Sequence, residues 1–159
     1  MENADFRQRA HSLRALPEIT DRILSKAFAE RGVAGIVKWE VLQVVDREKL
    51  RIFFEGTNSP WRQGVWIKCD RGIDIDGKAY GDVNLWTDTA PVPAAFTCRT
   101  SNGKLHLYNV WDDGNGRRSQ TYSSGMRVEA LADGWRYHCN DIGFDAAFDK
   151  LVFRIQRFE

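Results

Sequence analysis

The sequence predicts a mainly β protein, an antiparallel β-sandwich of jelly-roll type preceded by an N-terminal helical segment. Three observations carry this expectation. Apolar and polar residues alternate in about ten short runs, as where Leu105, Leu107, Asn109 and Trp111 interleave with His106, Tyr108 and Val110; a period of two is the mark of a strand with two different faces. Turn-forming groups such as Asp76-Gly77, Ser101-Asn102-Gly103 and Asp133-Gly134 separate these runs, at the roughly eight- to twelve-residue spacing of sandwiches and barrels. The first thirty-odd residues keep helical spacing instead.

Taken in order, residues 4–31 read as two helical pieces. Pro17 suits the first turn of the second piece, and Ile19, Ile23, Leu24, Ala27 and Phe28 form its apolar stripe, with Gly32 as the stop. From Gly35 the period becomes two. Val37, Trp39 and Val41 alternate with Lys38 and Glu40, then Leu50, Ile52 and Phe54 with Arg51 and Phe53. Val65, Ile67 and Cys69 face the core, which places Trp66 and Lys68 outward. Asp76-Gly77 is a hairpin turn because both residues tolerate positive φ. Further strands follow through Val83 to Trp86, Ala94 to Thr100, Leu105 to Trp111, Gly125 to Leu131, Trp135 to Cys139 and Leu151 to Ile155.

The 159 residues, 43% of them hydrophobic, suffice for one domain that removes about 70% of its unfolded surface from water. The expected division is a helical segment over 1–32 packing on a β-sandwich over 35–159. Lys and Arg number 23 against 22 for Asp and Glu, a net charge of +1, so no global field recruits nucleic acid or an anionic membrane. The most apolar run, residues 35–45, is broken by Lys38, Glu40 and Gln43 and falls short of the roughly 20 residues of a membrane-crossing helix. Charges through the first thirty residues leave no signal-peptide core. Cys69, Cys98 and Cys139 read as reduced, buried thiols. Together these features predict a cytoplasmic protein.

The phrases Gly56-Thr57-Asn58, Leu85-Trp86-Thr87-Asp88-Thr89-Ala90-Pro91, Tyr108-Asn109-Val110-Trp111, Ser124-Gly125-Met126, Arg136-Tyr137-His138-Cys139-Asn140-Asp141 and Phe148-Asp149-Lys150-Leu151-Val152-Phe153 make a pattern that resembles an uncharacterised family of bacterial β-sandwich proteins of unknown function. The resemblance spans residues 56–155 or so and leaves the helical start uncovered. It implies a recurring bacterial, intracellular β unit and brings no activity with it.

The sharpest ligand chemistry lies in the tryptophans. An indole beside Asp and Asn suits a sugar, whose C–H face packs on the ring while its hydroxyls meet acceptors and amide donors. The residues that would carry a carbohydrate or other small polar ligand are Trp61, Trp66, Asn109, Trp111, Asp112 and Asp113. Against this, Trp also fills the ends of a sandwich core, and Asp112 to Gly116 is ordinary turn chemistry. The leading expectation is therefore a non-enzymatic binding domain.

A glycan hydrolase is the alternative, using two of Asp74, Asp112, Asp141 and Asp145 as paired carboxylates. Asp74 and Asp76 share a strand face at roughly 6.6 Å, although hairpin punctuation accounts for them. A homodimer through the helical stripe is a third reading. His106 and His138 would form an acid-base or metal pair only on neighbouring strands, and Asp113-x-Asn115 lacks the distal Glu of a calcium loop. Neither metal nor cofactor is expected, and no catalytic residue is assigned.

Overall fold

A computed structural model describes residues 18–19 and 21–157. Its elements are β1 (Glu18–Ile19), β2 (Ile23–Leu24), α1 (Lys26–Glu30), β3 (Val37–Gln43), β4 (Lys49–Thr57), β5 (Arg62–Ile75), β6 (Lys78–Trp86), β7 (Ala94–Cys98), β8 (Lys104–Asp112), β9 (Arg117–Arg118), β10 (Gly125–Leu131), β11 (Gly134–Asn140) and β12 (Leu151–Arg157). Alternation sets most of them. In β12, Leu151, Phe153 and Ile155 are buried while Val152 and Arg154 are half-buried. The β5–β6 turn has φ of 51° at Asp76 and 78° at Gly77, as the sequence predicts.

The strands do not form a sandwich. They follow one another as β3, β10, β11, β12, β4, β7, β5 and β8, and β8 returns to β3, which makes a closed eight-stranded antiparallel barrel. Closure rests on β3, which pairs β8 from Glu40↔Leu107 to Gln43↔Lys104 and meets β10 at Val37↔Met126. A sandwich would leave open edges on two sheets; the ring satisfies them internally. The 14-residue β5 pairs β8 along Arg62–Lys68 and β7 at Ile73 and Asp74, with an irregularity between the two stretches that turns the strand. β6 lies off the ring as a ribbon on β5.

Eight strands enclose a space that side chains can fill, and here they fill it. Leu42, Val65, Ile67, Leu107, Tyr137 and Phe153 are among the enclosed residues, with Tyr137 stacked on Phe153 at 4.9 Å. One charged group stands among them. Glu40 is fully buried and accepts from Arg22 at 2.9 and 2.5 Å and from the Tyr137 hydroxyl at 2.8 Å. The alternation of β3 suggests the reverse, with Glu40 outward and Trp39 inward. The paired guanidinium and phenol are what make the carboxylate tolerable inside. A second cluster, Phe28, Ile36 and Phe148, packs with Val33 and Phe144 beside it.

The expected helical start is corrected as well. Residues 1–17 lie outside those described. Where the second helical piece was expected, β1 pairs β3, β2 pairs β3 at Trp39 and Val37, and only Lys26–Glu30 is helical. Ser25 caps this short helix by accepting from the Phe28 N–H at 3.1 Å. Ala27 and Phe28 of the stripe are buried, but Ile23 and Leu24 are more than half exposed. Backbone pairing to β3 outcompetes a marginal helix, so the expected stripe is divided between β2 and a five-residue helix. No described helix is long and apolar enough to cross a membrane.

Candidate functional site

The outward face of β3, β8 and β5 follows from their register. Leu107 pairs Glu40 and Ile67 on the inside, so the alternate residues of the same strands meet on the outside. His106 pairs Val41 and Lys68, and Tyr108 pairs Trp66. Trp39 joins this set, its ring centroid 5.5 Å from Trp66, 5.1 Å from Tyr108 and 5.9 Å from His106. Four rings from three strands thus share one patch of outer wall.

Within it Trp66 and Tyr108 lie nearly parallel, 4.5 Å apart at 20°, while Trp39 stands at 70° to Trp66. Trp66, backed by Tyr108, is a floor and the half-buried Trp39 is a wall. Together with Lys68, Asp70 and His106 these two indoles bound a cleft of about 440 Å³, within the size range of small-ligand sites.

The hydrogen bonds settle what this cleft can offer a ligand. Trp39 Nε1 donates to His106 Nδ1 at 2.9 Å, so the neutral imidazole carries its proton on Nε2. Burial first, then the Lys104 and Lys68 charges, hold His106 below the ordinary histidine range, which keeps it neutral at pH 7. Trp66 Nε1 is spent on Asp82 Oδ2 at 2.7 Å. Asp70 is saturated, accepting from Thr100 Oγ1 and from the Ser101 hydroxyl and N–H. Those bonds, the Ser101 hydroxyl foremost, hold its carboxyl far below the usual range. Lys68 is exposed and makes no ion pair among the described residues.

Of the ligand-binding residues the sequence singles out, only Trp66 belongs to this cleft, where it meets His106, named from the sequence only as half of a histidine pair. Asn109 and Trp111 share β8 with His106 but point into the barrel, 2% and 0% exposed. Asn109 donates to the Asn140 carbonyl at 3.0 Å. Trp61 is half-buried in the loop before β5. Asp112 Oδ1 accepts from the Gly114 and Gly116 N–H groups, and Asp113 binds the Asn115 N–H and Arg118, so both carboxylates hold their own turn.

The four carboxylates of the hydrolase alternative are likewise separately engaged. Asp74 pairs Arg99, Asp112 caps its loop, Asp141 binds Ser59 and Gln63, and Asp145 binds the Ala147 N–H and Lys150. None lines the cleft. His138, on β11, pairs Glu129 on β10 and is separated from the His106 strand by β3 and β10. No group of three or more metal-ligating side chains occurs among the described residues.

Trp39, Lys68 and His106 are what sequence reasoning misses as a set. A signal exists in the outward phase of Lys68 and His106, but joining them to Trp39 needs the β3–β8–β5 adjacency. Fold and cleft together define a closed β-barrel with an aromatic recess on its outer wall. No family model matches the chain, and neither a curated protein nor a solved structure matches it.

Proposed function

We propose that this protein is a non-enzymatic binding domain whose ligand is a sugar, taken into the cleft between Trp39 and Trp66. The observation that carries the reading is the corner itself, two indoles 5.5 Å apart at 70° with hydrogen-bonding groups along the rim. A pyranose presents an apolar C–H face and an equator of hydroxyls. The open ring of Trp39 takes the first, while His106 Nε2–H and the Lys68 ammonium donate to the second. The indole N–H groups are already bonded, which fixes both rings in place before a ligand arrives and lowers the entropic cost of binding.

The reading keeps Trp66 from the residues named by sequence and moves the site from the loops to the barrel wall. Three free, buried cysteines support a reducing, cytoplasmic setting. Titration of intrinsic tryptophan fluorescence with a panel of mono- and oligosaccharides tests the proposal. A saturable change that Trp39→Ala weakens by about tenfold or more supports it, provided the variant melts as a folded protein. No saturable response to any member of the panel overturns it.

A further inference from the structure

Resting on the sugar-binding reading, we infer that the cleft is proton-gated: protonation of His106 frees the Trp39 wall and weakens ligand binding. One hydrogen bond holds that wall. Trp39 Nε1–H points at His106 Nδ1, 2.9 Å away, and the indole donates to no other group among the described residues. A neutral imidazole accepts there through the lone pair of its unprotonated nitrogen, whereas an imidazolium carries a proton on both nitrogens and accepts nowhere. A proton on Nδ1 therefore sets N–H against N–H at the contact that fixes Trp39.

The surroundings do not reward the charged form. The two rings meet at 83° with centroids 5.9 Å apart. The indole presents its N–H edge, the positive rim of the ring, so an imidazolium finds no cation–π attraction in that pose. From β3 the neighbours are Val41 and Trp39, neither of them charged. Lys104 on β8 and Lys68, the cross-strand partner on β5, oppose a charge on His106. Asp21, paired with Lys104 at 2.6 Å, and Asp70, held by Thr100 and Ser101, favour it less strongly. Burial is the largest influence, and the imidazole takes its proton only below the ordinary histidine range.

Release is selective. Trp66 keeps its bond to Asp82 Oδ2 at 2.7 Å and its stack on Tyr108, so the floor stays while the wall turns. His106 Nε2–H and the Lys68 ammonium remain donors, and the loss falls on the ring that takes the C–H face of a pyranose. Coupling runs both ways: a ligand stacked on anchored Trp39 favours the neutral imidazole, and the proton disfavours that ligand by the same factor. One linked proton sets the limit, about tenfold in affinity per pH unit below the point where His106 titrates.

The test follows the indole N–H and imidazole C–H signals of the free protein by NMR from about pH 7.5 to about 4.5, with Trp39→Phe identifying the Trp39 signal. The expected result is that the Trp39 N–H moves upfield with the same midpoint as His106, below about pH 6.5, while the Trp66 N–H holds. His106→Asn keeps an acceptor oxygen near the place of Nδ1 without a titrating proton, and its Trp39 signal stays fixed over the same range. Fluorescence titrations with maltotriose, cellotriose and chitotriose show affinity falling by up to about tenfold per pH unit below that midpoint in the unsubstituted protein, and level in His106→Asn. If His106 is still neutral at about pH 4.5, if it titrates without moving the Trp39 signal, or if His106→Asn shows the same pH dependence, the inference is overturned while the cleft remains a binding site. If no sugar binds at about pH 7.5, the sugar-binding reading falls and this inference with it, whatever the ring signals do.

Discussion

Inside the barrel, Tyr137 stacks on Phe153 with centroids 4.9 Å apart, and both rings are fully buried. On the outer wall Trp66 stacks on Tyr108 at 4.5 Å, each still 7% exposed, and the cluster ends in the half-open ring of Trp39. The two regions use the same chemistry to different ends. The interior spends its charged group on its own neighbours, as Glu40 does on Arg22 and Tyr137, and side chains fill the space a ligand would need. The outer patch spends its indole N–H groups and Asp70 on positioning and leaves donors and an aromatic face toward water. An eight-stranded ring has room inside for either packing or one small ligand; this one is packed, and its recess lies outside.

Substitutions on each side should separate these roles, in decreasing order of effect. Trp111→Ala empties the largest fully buried side chain in the barrel and is expected to cost about 3–5 kcal/mol in urea-induced unfolding, with the cleft geometry kept in whatever fraction remains folded. Glu40→Gln removes the negative charge and one of the two acceptor oxygens that Arg22 and Tyr137 share. Because Arg22 is 22% exposed and water can partly replace the lost charge, about 2 kcal/mol is expected, again by denaturant titration. Trp39→Ala should cost only about 1 kcal/mol, half a ring's burial, yet remove the fluorescence response to sugar. A larger stability loss than for Glu40→Gln would erase the distinction between the two regions.

The smallest effect is a pH dependence. His106 is held below the ordinary histidine value, burial being the main cause, so the unfolded chain takes up the proton first. Stability from this group is full above about pH 6.5 and falls as pH drops toward the folded value, by no more than about 1.4 kcal/mol per unit. The carboxylates held low, Glu55, Asp113, Glu129 and Asp145 among them, lose their contribution only below about pH 4.5. His106→Gln should therefore flatten the unfolding free energy between about pH 5 and 7 and leave the acid limb unchanged.

The strands were legible because each is a local pattern. Leu151, Phe153 and Ile155 announce their burial, and Asp76-Gly77 its turn. Sandwich and barrel share those patterns and differ in pairings such as Glu40↔Leu107 and Val37↔Met126, which no local period encodes. The same limit hid the site. The outward phase of Lys68 and His106 can be read from β5 and β8, but their meeting with Trp39 cannot. In β3 the period misleads outright, since a carboxylate inside a barrel defies the usual rule and only Arg22 and Tyr137 explain it. Ile19, Ile23, Leu24, Ala27 and Phe28 fit a helical stripe equally well as an accident of two short edge strands and one turn. Trp111 lies in the inward set of β8 with Leu105 and Leu107, so its enclosure was readable from alternation even though its neighbours in the loop suggest a ligand.

The way β3 closes the ring also bears on how the chain folds. Its contacts join residues far apart in sequence, 67 positions between Trp39 and His106 and 97 between Glu40 and Tyr137. Hairpins such as β5–β6 and β10–β11 can form from neighbouring segments, whereas β3 waits for both β8 and β10 to be in place. Such long loops are closed late, and chains rich in them fold in milliseconds to seconds. The Trp39 and Glu40 side chains, on opposite faces of one strand, then report the same event: the recess outside and the charge pair inside are completed together when the last seam shuts.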